Sequence, residues 1–260
     1  MRILLANDDG IHADGLAALR RELLLAGHTL TVVAPDRERS ATGHAITIHH
    51  PLRVEAVEFS EPAGVGLSVS GTPADCVKLA IKSLMEIPPD LVVSGINRGP
   101  NLGTDLFYSG TVSAAIEGVI LGFPAIAVSL CAFENTDFAF AARFARQAAE
   151  ALMAADFPRN TLLNINVPAL PEEEVAGWAV TRLGTRNYQN RFQQRVDPRG
   201  RTYYWLAGEL LDEEDLPDTD VQAIRDNLVS VTPVHLDLTK HDLLEKVAGL
   251  KLNWRERGDV

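Results

Sequence analysis

The sequence predicts an α/β protein with a doubly wound, mostly parallel sheet, and three observations lead to this fold class. A short apolar run at residues 3–6 is typical of a buried strand, and an amphipathic stretch at residues 16–26 follows it closely. A β-branched run at residues 28–34 stops at Pro35, so strand, helix and strand form a βαβ unit with a parallel pair. Alternating strand and helix patterns then continue to about Pro168.

The remaining elements follow from local patterns along the chain. Thr72, Pro73 and Asp75 supply the N-cap, first position and first turn of a helix that we expect to run to about Met85. Further strands are predicted at residues 66–70, 90–94, 124–130, 161–167 and 228–233, with one or two more within 45–59. Further helices are predicted at residues 112–121, 137–154 and 243–252.

The composition changes after residue 168. Residues 181–201 hold six arginines and one acid, whereas residues 209–220 hold seven acids and no base. One interpretation is a strand-rich appendage whose opposite charges pair within a chain or between subunits. The sharper hypothesis is that some of these arginines lean over the active site. We therefore predict an α/β catalytic domain over residues 1–168 and an extension over residues 169–260, with a β-rich arm, a late strand and a terminal helix.

Charge and composition limit the partners of this chain of 260 residues. Its net charge of −11 argues against binding a nucleic-acid polymer, although a small phosphorylated ligand stays compatible with it. The N-terminus shows no signal-peptide pattern and no apolar run is long enough to span a bilayer, so we expect no membrane partner. Cys76 and Cys131 lie far apart in apolar surroundings, which favours reduced thiols and a cytoplasmic location.

The pair Asp8–Asp9 is the first chemical signal, because it directly follows the first predicted strand. Ligands of open α/β sheets bind beyond the carboxyl ends of the strands, where these carboxylates are expected to lie. Two adjacent anionic side chains repel each other unless a cation lies between them, and a hard divalent metal prefers oxygen ligands. The sequence therefore predicts a metal site at this edge of the sheet.

Two loops that leave the same edge offer further ligands. The polar loop at residues 35–43 contains Ser40, a candidate oxygen ligand, although a solvated turn also explains that loop when it is taken alone. The stretch at residues 95–111 has four glycines, two asparagines and one proline, which is typical of a loop whose backbone N–H groups approach a ligand. In it, Asn97 offers a side-chain carbonyl, and the segment Ser109–Gly110–Thr111 opens a helix whose N-terminus suits a phosphate.

Other phosphate-binding classes fit the sequence less well. There is neither a GxGxxG dinucleotide motif after the first strand nor a GxxxxGK[ST] P-loop. A signalling receiver domain needs a phospho-accepting aspartate and a lysine that the later strands do not supply, and it is much shorter. A haloacid-dehalogenase-type phosphatase needs Asp-x-Asp, whereas the two carboxylates are adjacent here. A nucleotide-binding protein without catalytic activity stays open, because affinity and turnover use the same groups.

Five stretches together resemble the SurE (survival protein E) family of nucleotidases. They are NDDGIHADG, APDRERSATGHAIT, GTPADC, PDLVVSGINRGPNLGTDLFYSGTVSAA and VSVTP, in that order along the chain. The resemblance implies a Rossmann-like N-terminal domain, a C-terminal extension used in a homodimer or homotetramer, and one divalent metal per subunit, Mg²⁺ or Mn²⁺. It also implies hydrolysis of nucleoside 5′-monophosphates, with 3′-monophosphates and short polyphosphate as further candidate substrates.

The same resemblance places the metal ligands at Asp8, Asp9, Ser40 and Asn97, the four side chains that the residues alone had nominated. Ala41 departs from the family pattern, because glycine is expected after the ligand serine in many relatives.

We expect either Asp8 or Asp9 to act as general base or nucleophile, and the residues do not choose between them. His12 and His44 are candidates for protonating the leaving group, although a surface or capping role is more common for a histidine. The residues expected to contact phosphate are Gly43, Asn97, Ser109, Gly110 and Thr111.

Overall fold

The computed structural model describes residues 1–134, 137–155, 157–186, 191–207, 216–250 and 252. The strands in these ranges are β1 (Arg2–Ala6), β2 (Thr29–Pro35), β3 (Val54–Phe59), β4 (Gly64–Val69), β5 (Leu91–Arg98), β6 (Ala125–Cys131), β7 (Leu162–Pro168), β8 (Gly177–Val180), β9 (Arg191–Val196), β10 (Thr202–Ala207) and β11 (Leu228–Val234). The α-helices are α1 (Asp14–Leu25), α2 (Pro73–Leu79), α3 (Gly110–Ile120), α4 (Ala139–Ala154), α5 (Asp220–Arg225) and α6 (Leu244–Ala248).

A nine-stranded sheet with the order β3-β4-β2-β1-β5-β6-β7-β11-β8 forms the centre of the molecule. The strands β4, β2, β1, β5, β6 and β7 are all parallel, whereas β3 and β11 pair antiparallel with β4 and β7. The predicted mostly parallel α/β fold is therefore confirmed. Strands β9 and β10 form a separate antiparallel pair.

Helices cover both faces of the sheet, and the strand period of two decides which side chain meets which helix. Ile3 and Leu5 of β1 pack in the core cluster that includes residues of α1 and α4. Leu4 and Ala6 of the same strand pack in the cluster that includes residues of α2 and α3. The end of β1 therefore lies between two helical layers, and the two residues Asp8 and Asp9 enter this boundary.

Several elements differ from the sequence predictions in their extent. Residues 45–53 contain no strand, so only β3 forms within 45–59. The helix predicted to reach Met85 is α2 followed by a π-helix, Ala80–Leu84, and its capping box joins Thr72 and Asp75 as expected. Strand β5 continues to Arg98 through a register shift against β6, so Asn97 lies in a strand and not in the predicted loop.

The C-terminal part contributes two strands, β8 and β11, to the same sheet as the N-terminal strands. The division at residue 168 into a catalytic domain and an extension stays a prediction. Parts of the two charged stretches, residues 187–190 and 208–215, lie outside the described residues.

Candidate active site

A tight turn after β1 holds the carboxylates in place. The Asn7 amide donates to the Gly10 carbonyl at 2.9 Å, and the Gly10 N–H donates back to Asn7 Oδ1 at 3.2 Å. Gly10 has φ +104°, and a Cβ there would lie 3.2 Å from the carbonyl carbon of Arg37. Only glycine adopts this backbone conformation readily, so the turn and the neighbouring loop can approach each other closely.

Asp8 packs directly on the N-terminus of α3. A Cβ on Gly110 would lie 2.7 Å from the Asp8 Cβ and 2.8 Å from its Oδ2, so glycine is required by space at this position. The Thr111 hydroxyl donates to Asp8 Oδ1. The Ser109 hydroxyl accepts from the Val112 N–H at 3.1 Å as the helix cap. The structure therefore brings Asp8 together with Gly110 and Thr111 of the predicted phosphate segment, while Ser109 caps the same helix.

The electrostatics of the two carboxylates favour a cation. Asp8 is 5% exposed, and burial raises its pKa to about 6, against the effect of the Thr111 hydrogen bond and with a contribution from the Asp9 charge. Burial also raises the pKa of Asp9. Among the described residues, no lysine or arginine forms a salt bridge with Asp8 or Asp9. A buried carboxylate beside another one, without a cationic partner, fits a divalent metal ligand.

The loop after β2 reaches this site through its backbone. The Arg39 N–H donates to the Asp8 carbonyl at 2.8 Å, which anchors the residue before Ser40. The Ser40 hydroxyl donates to Glu38 Oε1 at 2.6 Å, and its oxygen retains lone pairs for a metal. Ala41 has φ 55°, the left-handed region that favours glycine. This chain therefore has alanine at a position where the backbone conformation favours glycine, the residue that the family pattern led us to expect.

Asn97 reaches the site from the end of β5. Its neighbour Arg98 donates a backbone N–H to Asp9 Oδ2 at 3.1 Å. The Asn97 amide nitrogen donates to the Gly99 carbonyl at 2.8 Å, which leaves the side-chain carbonyl oxygen for a ligand. The described residues contain no cluster of three or more His, Cys, Asp or Glu suited to a metal. The predicted set has two carboxylates, so the hydroxyl and amide oxygens are needed to complete a shell.

A cavity of about 460 Å³ opens beside Asp9 and Ser40. Its remaining lining residues are His12, Ala13, Asp14, Gly15, Glu38, Arg98, Phe133 and Phe138. Of the two histidines considered, His12 lines this cavity. His44 instead contacts the buried Glu117 at 2.9 Å, and Lys78 contacts the other oxygen of that carboxylate at 2.8 Å.

Gly43 lies next to the segment that leads into the predicted phosphate site. Its N–H donates to the Tyr108 carbonyl at 3.1 Å. A Cβ on Gly43 would lie 3.3 Å from the Phe107 carbonyl oxygen, and its φ is +56°. This contact ties the loop that carries Ser40 to the residues directly before Ser109.

A contact that the sequence did not predict comes from the C-terminal part. The buried Asp220 accepts from the Gly103 N–H at 2.7 Å and from the Gly184 N–H at 2.8 Å. Arg186 forms an ion pair with Asp105 at 2.6 Å, and its carbonyl accepts from the Thr104 hydroxyl at 3.0 Å. We call these contacts the C-terminal clamp. One arginine of the basic segment thus lies against the loop that leads to Ser109, and the hypothesis that such arginines lean over the active site stays a prediction.

A second unpredicted feature is a buried amide network under the same loop. The Asn101 backbone N–H donates to Asn166 Oδ1 at 2.9 Å, and its side chain donates to the Ser129 hydroxyl at 2.7 Å. The Asn101 carbonyl accepts from Asn164 at 2.9 Å and from Asn166 at 3.1 Å. Asparagines inside the run TLLNINV were the only signal in the sequence, because buried strands rarely contain them without a partner.

Comparison with known proteins places this geometry in a family. The model of the family described as "Survival protein SurE" matches residues 3–190. The chain belongs to the SurE family. A curated relative from Heliobacterium modesticaldum, named 5′-nucleotidase SurE, is 56% identical over 95% of this chain and 91% of its own length. A relative of the same name from Moorella thermoacetica is 51% identical over 100% of both chains.

A solved structure of a SurE family protein has the same fold. The crystal structure of the SurE protein from Aquifex aeolicus is 42% identical, with a TM-score of 0.82 over 95% of this chain and 98% of that chain. No helix in the described part of the chain has both the length and the apolar composition needed to cross a membrane.

Proposed function

We propose that this SurE family chain is a divalent-metal-dependent phosphomonoesterase that hydrolyses nucleoside 5′-monophosphates to nucleoside and phosphate. The observation that carries the proposal is the buried Asp8, which packs against Gly110 and Thr111 beside Asp9. It joins a pair of carboxylates to a helix N-terminus, the two groups that metal-assisted phosphate hydrolysis needs. The names of the curated relatives support the substrate class. Nucleoside 3′-monophosphates and short polyphosphate are further candidate substrates.

In this proposal Asp8, Asp9, Ser40 and Asn97 hold one Mg²⁺ or Mn²⁺ per subunit. When bound, the cation supplies charge neutralisation at the phosphoryl oxygens and acidifies a water molecule. The set of hard oxygen ligands suits either of these metals better than a soft one.

The other roles belong to the chain itself. The free N–H groups at the start of α3 bind the non-bridging phosphate oxygens, where the helix dipole favours negative charge. Thr111 fixes the orientation of Asp8 through its hydrogen bond. Asp9 lines the cavity and is the carboxylate that we assign to orienting the attacking water. Gly43 and Asn97 complete the phosphate contacts, and His12 is the candidate donor of a proton to the leaving oxygen because it lines the same cavity.

We further propose that the chain acts in the cytoplasm as a homodimer or homotetramer. Both cysteines are free thiols, which supports a reducing compartment. The separate pair β9–β10 presents exposed apolar side chains outside the main sheet, which supports association with another copy.

The experiment measures phosphate release from 5′- and 3′-nucleoside monophosphates with Mg²⁺, with Mn²⁺ and with EDTA. We expect metal-dependent release that is reduced at least about a hundredfold in Asp9→Asn and Asn97→Ala, because each removes a ligand. Asp90→Asn, a carboxylate at the amino edge of the sheet, is the matched control and keeps wild-type turnover.

A second readout in the same experiment is independent of turnover. Thermal unfolding with and without Mn²⁺ should show stabilisation of the wild type that Asp9→Asn loses. Wild-type turnover in Asp9→Asn would refute the assignment of the metal site. A folded wild type that is stabilised by Mn²⁺ but releases no phosphate would favour a binding protein over the enzyme.

A further inference from the structure

The cavity beside Asp9 and Ser40 has one wall with no role in the hydrolysis of a phosphate. Two aromatic residues, Phe133 and Phe138, contribute to its lining. Phe138 is 5% exposed and belongs to the core beneath the sheet. Phe133 is 73% exposed, although it lies in a cavity that contains a predicted metal ligand. A large aromatic side chain that is exposed in this cavity can pack its apolar face against a ligand.

The backbone directly after β5 supports the Phe133 ring from one side. A Cβ built on Gly99 would lie 2.7 Å from Cε1, 3.3 Å from Cδ1 and 3.3 Å from Cζ of that ring. Three consecutive ring atoms thus pack against a residue without a side chain, and any larger residue would displace the ring. Gly99 follows Asn97 by two residues, so the ring lies just beyond the strand end that carries a predicted ligand.

We infer that Phe133 is the surface on which the nucleobase stacks, an inference that rests on the proposed nucleotidase function. The substrate subsite it defines takes an aromatic heterocycle, with the phosphate of the same molecule at the start of α3, next to the metal site that Asp9 and Ser40 help to form. The cavity volume of about 460 Å³ lies in the range of small-ligand pockets. Stacking on a ring accepts every base, because each has an aromatic face. The subsite therefore discriminates nucleotides from sugar phosphates and only weakly between bases.

Three acidic residues, Asp9, Asp14 and Glu38, and one arginine, Arg98, line the cavity, so a neutral group fits beside the ring better than a further anion. Asp14 and Arg98 line the cavity and lie 3.4 Å apart as an ion pair, and the Arg98 backbone N–H is bonded to Asp9. A base stacked on Phe133 adds no charge to this arrangement. A second exposed aromatic pair, Phe107 and Tyr108, lies near Gly43 and gives the test an internal alternative.

The test compares AMP with ribose 5-phosphate, which keeps the sugar phosphate and lacks the base. Phe133→Ala should raise KM for AMP by about 5- to 150-fold, because stacking of one base on an aromatic ring changes affinity by this factor. The same substitution should leave kcat unchanged. KM for ribose 5-phosphate should stay at the wild-type value. Phe133→Tyr should keep wild-type KM for AMP, because it retains the ring.

Binding measurements separate this inference from the proposed function. The dissociation constant of a non-hydrolysable phosphonate analogue of AMP should rise in Phe133→Ala by the same factor as KM, even if the wild type released no phosphate. In that case the nucleotidase proposal fails and the stacking surface stands.

The controls fix the location of the effect. Phe157→Ala removes an exposed aromatic ring from a different cavity, at the amino edge of the sheet, and should change neither constant. Equal loss of affinity for AMP and ribose 5-phosphate in Phe133→Ala would overturn the inference, since it would indicate a general disturbance of the site. Unchanged AMP affinity in Phe133→Ala would also overturn it, and a loss of affinity in Phe107→Ala would then place the base beside Phe107.

Discussion

Asp8 and Asp9 are adjacent in the chain, but they contact different layers of the molecule. Asp8 meets Gly110 and Thr111 of α3, whereas Asp9 accepts from the Arg98 backbone and lines the cavity beside α1. The alternation of side chains along β1 accounts for this difference, because it continues into the two residues after the strand. One carboxylate is therefore held against the start of α3, the proposed phosphate site, and the other stays accessible to a ligand.

A prediction at the residue scale concerns Ala41, whose positive φ lies next to Ser40. Ala41→Gly should raise the free energy of unfolding by up to about 1 kcal/mol, because relief of the left-handed strain exceeds the entropy that glycine adds to the unfolded chain. Activity should stay within about twofold of wild type, since the Ser40 side chain is unchanged. Urea denaturation and phosphate release measure the two quantities.

The control for Ala41→Gly is Ala63→Gly, at an exposed turn residue without positive φ. There the substitution should lower the free energy of unfolding, because only the entropy change remains. Destabilisation by both substitutions would show that the backbone at Ala41 is not strained.

Four residues of the candidate site could be nominated from the sequence, because oxygen-bearing side chains follow predicted strands or stand in unusual loops. Asp8, Asp9, Ser40 and Asn97 each follow a recognisable strand or stand in a distinctive loop, so local patterns were sufficient to nominate them. Asp220 was not predictable in this way. Its partner Gly103 is more than a hundred residues away, and an acidic residue in the first turn of a helix, after the N-cap Thr219, explains its sequence context equally well.

At the scale of elements, the segment between Asn97 and Ser109 is held from three sides. The amide network anchors Asn101, the C-terminal clamp holds Gly103 to Asp105, and the Gly43 N–H bonds the Tyr108 carbonyl. The segment is thus bonded at Asn101, at Gly103 to Asp105 and at Tyr108 before α3 begins. Such support matters because small displacements of phosphate-binding N–H groups weaken transition-state stabilisation strongly.

The clamp gives a prediction for Arg186, whose ion pair with Asp105 is mostly shielded from solvent. Arg186→Ala should lower kcat/KM for AMP by roughly tenfold and the free energy of unfolding by about 1–2 kcal/mol, since it loosens the segment before Ser109. Arg199→Ala, in the same basic stretch but exposed, should leave both quantities unchanged. Steady-state kinetics and denaturant unfolding measure them.

A double-mutant cycle tests whether Arg186 acts through its partner. If Arg186→Ala and Asp105→Ala affect kcat/KM through one contact, the double variant should be no worse than the more affected single one. Fully additive losses would instead mean that the arginine acts elsewhere, for instance on the substrate directly.

At the scale of the whole molecule, the parallel part of the sheet was predictable and its far edge was not. The βαβ rule gives neighbouring parallel strands for β1 and β2, and the fold class follows from the continued alternation. Nothing local in residues 177–180 or 228–234 indicates that β11 pairs antiparallel with β7 and parallel with β8. Such pairing depends on which edge is left open after the other strands have assembled, and this is a property of the complete sheet.

The β9–β10 pair carries the last prediction, because two strands alone are marginally stable in water. The cross-strand register places Phe192, Val196, Tyr204 and Leu206 on one face, and all four are exposed. If this face is covered by another copy, Phe192→Ser with Leu206→Ser should shift the sedimentation mass from dimer or tetramer to a smaller species. Gln193→Ser, on the opposite face, should keep the wild-type mass. A wild type that sediments as a monomer at every concentration would exclude the proposed assembly, and an unchanged mass in the double variant would place the interface elsewhere.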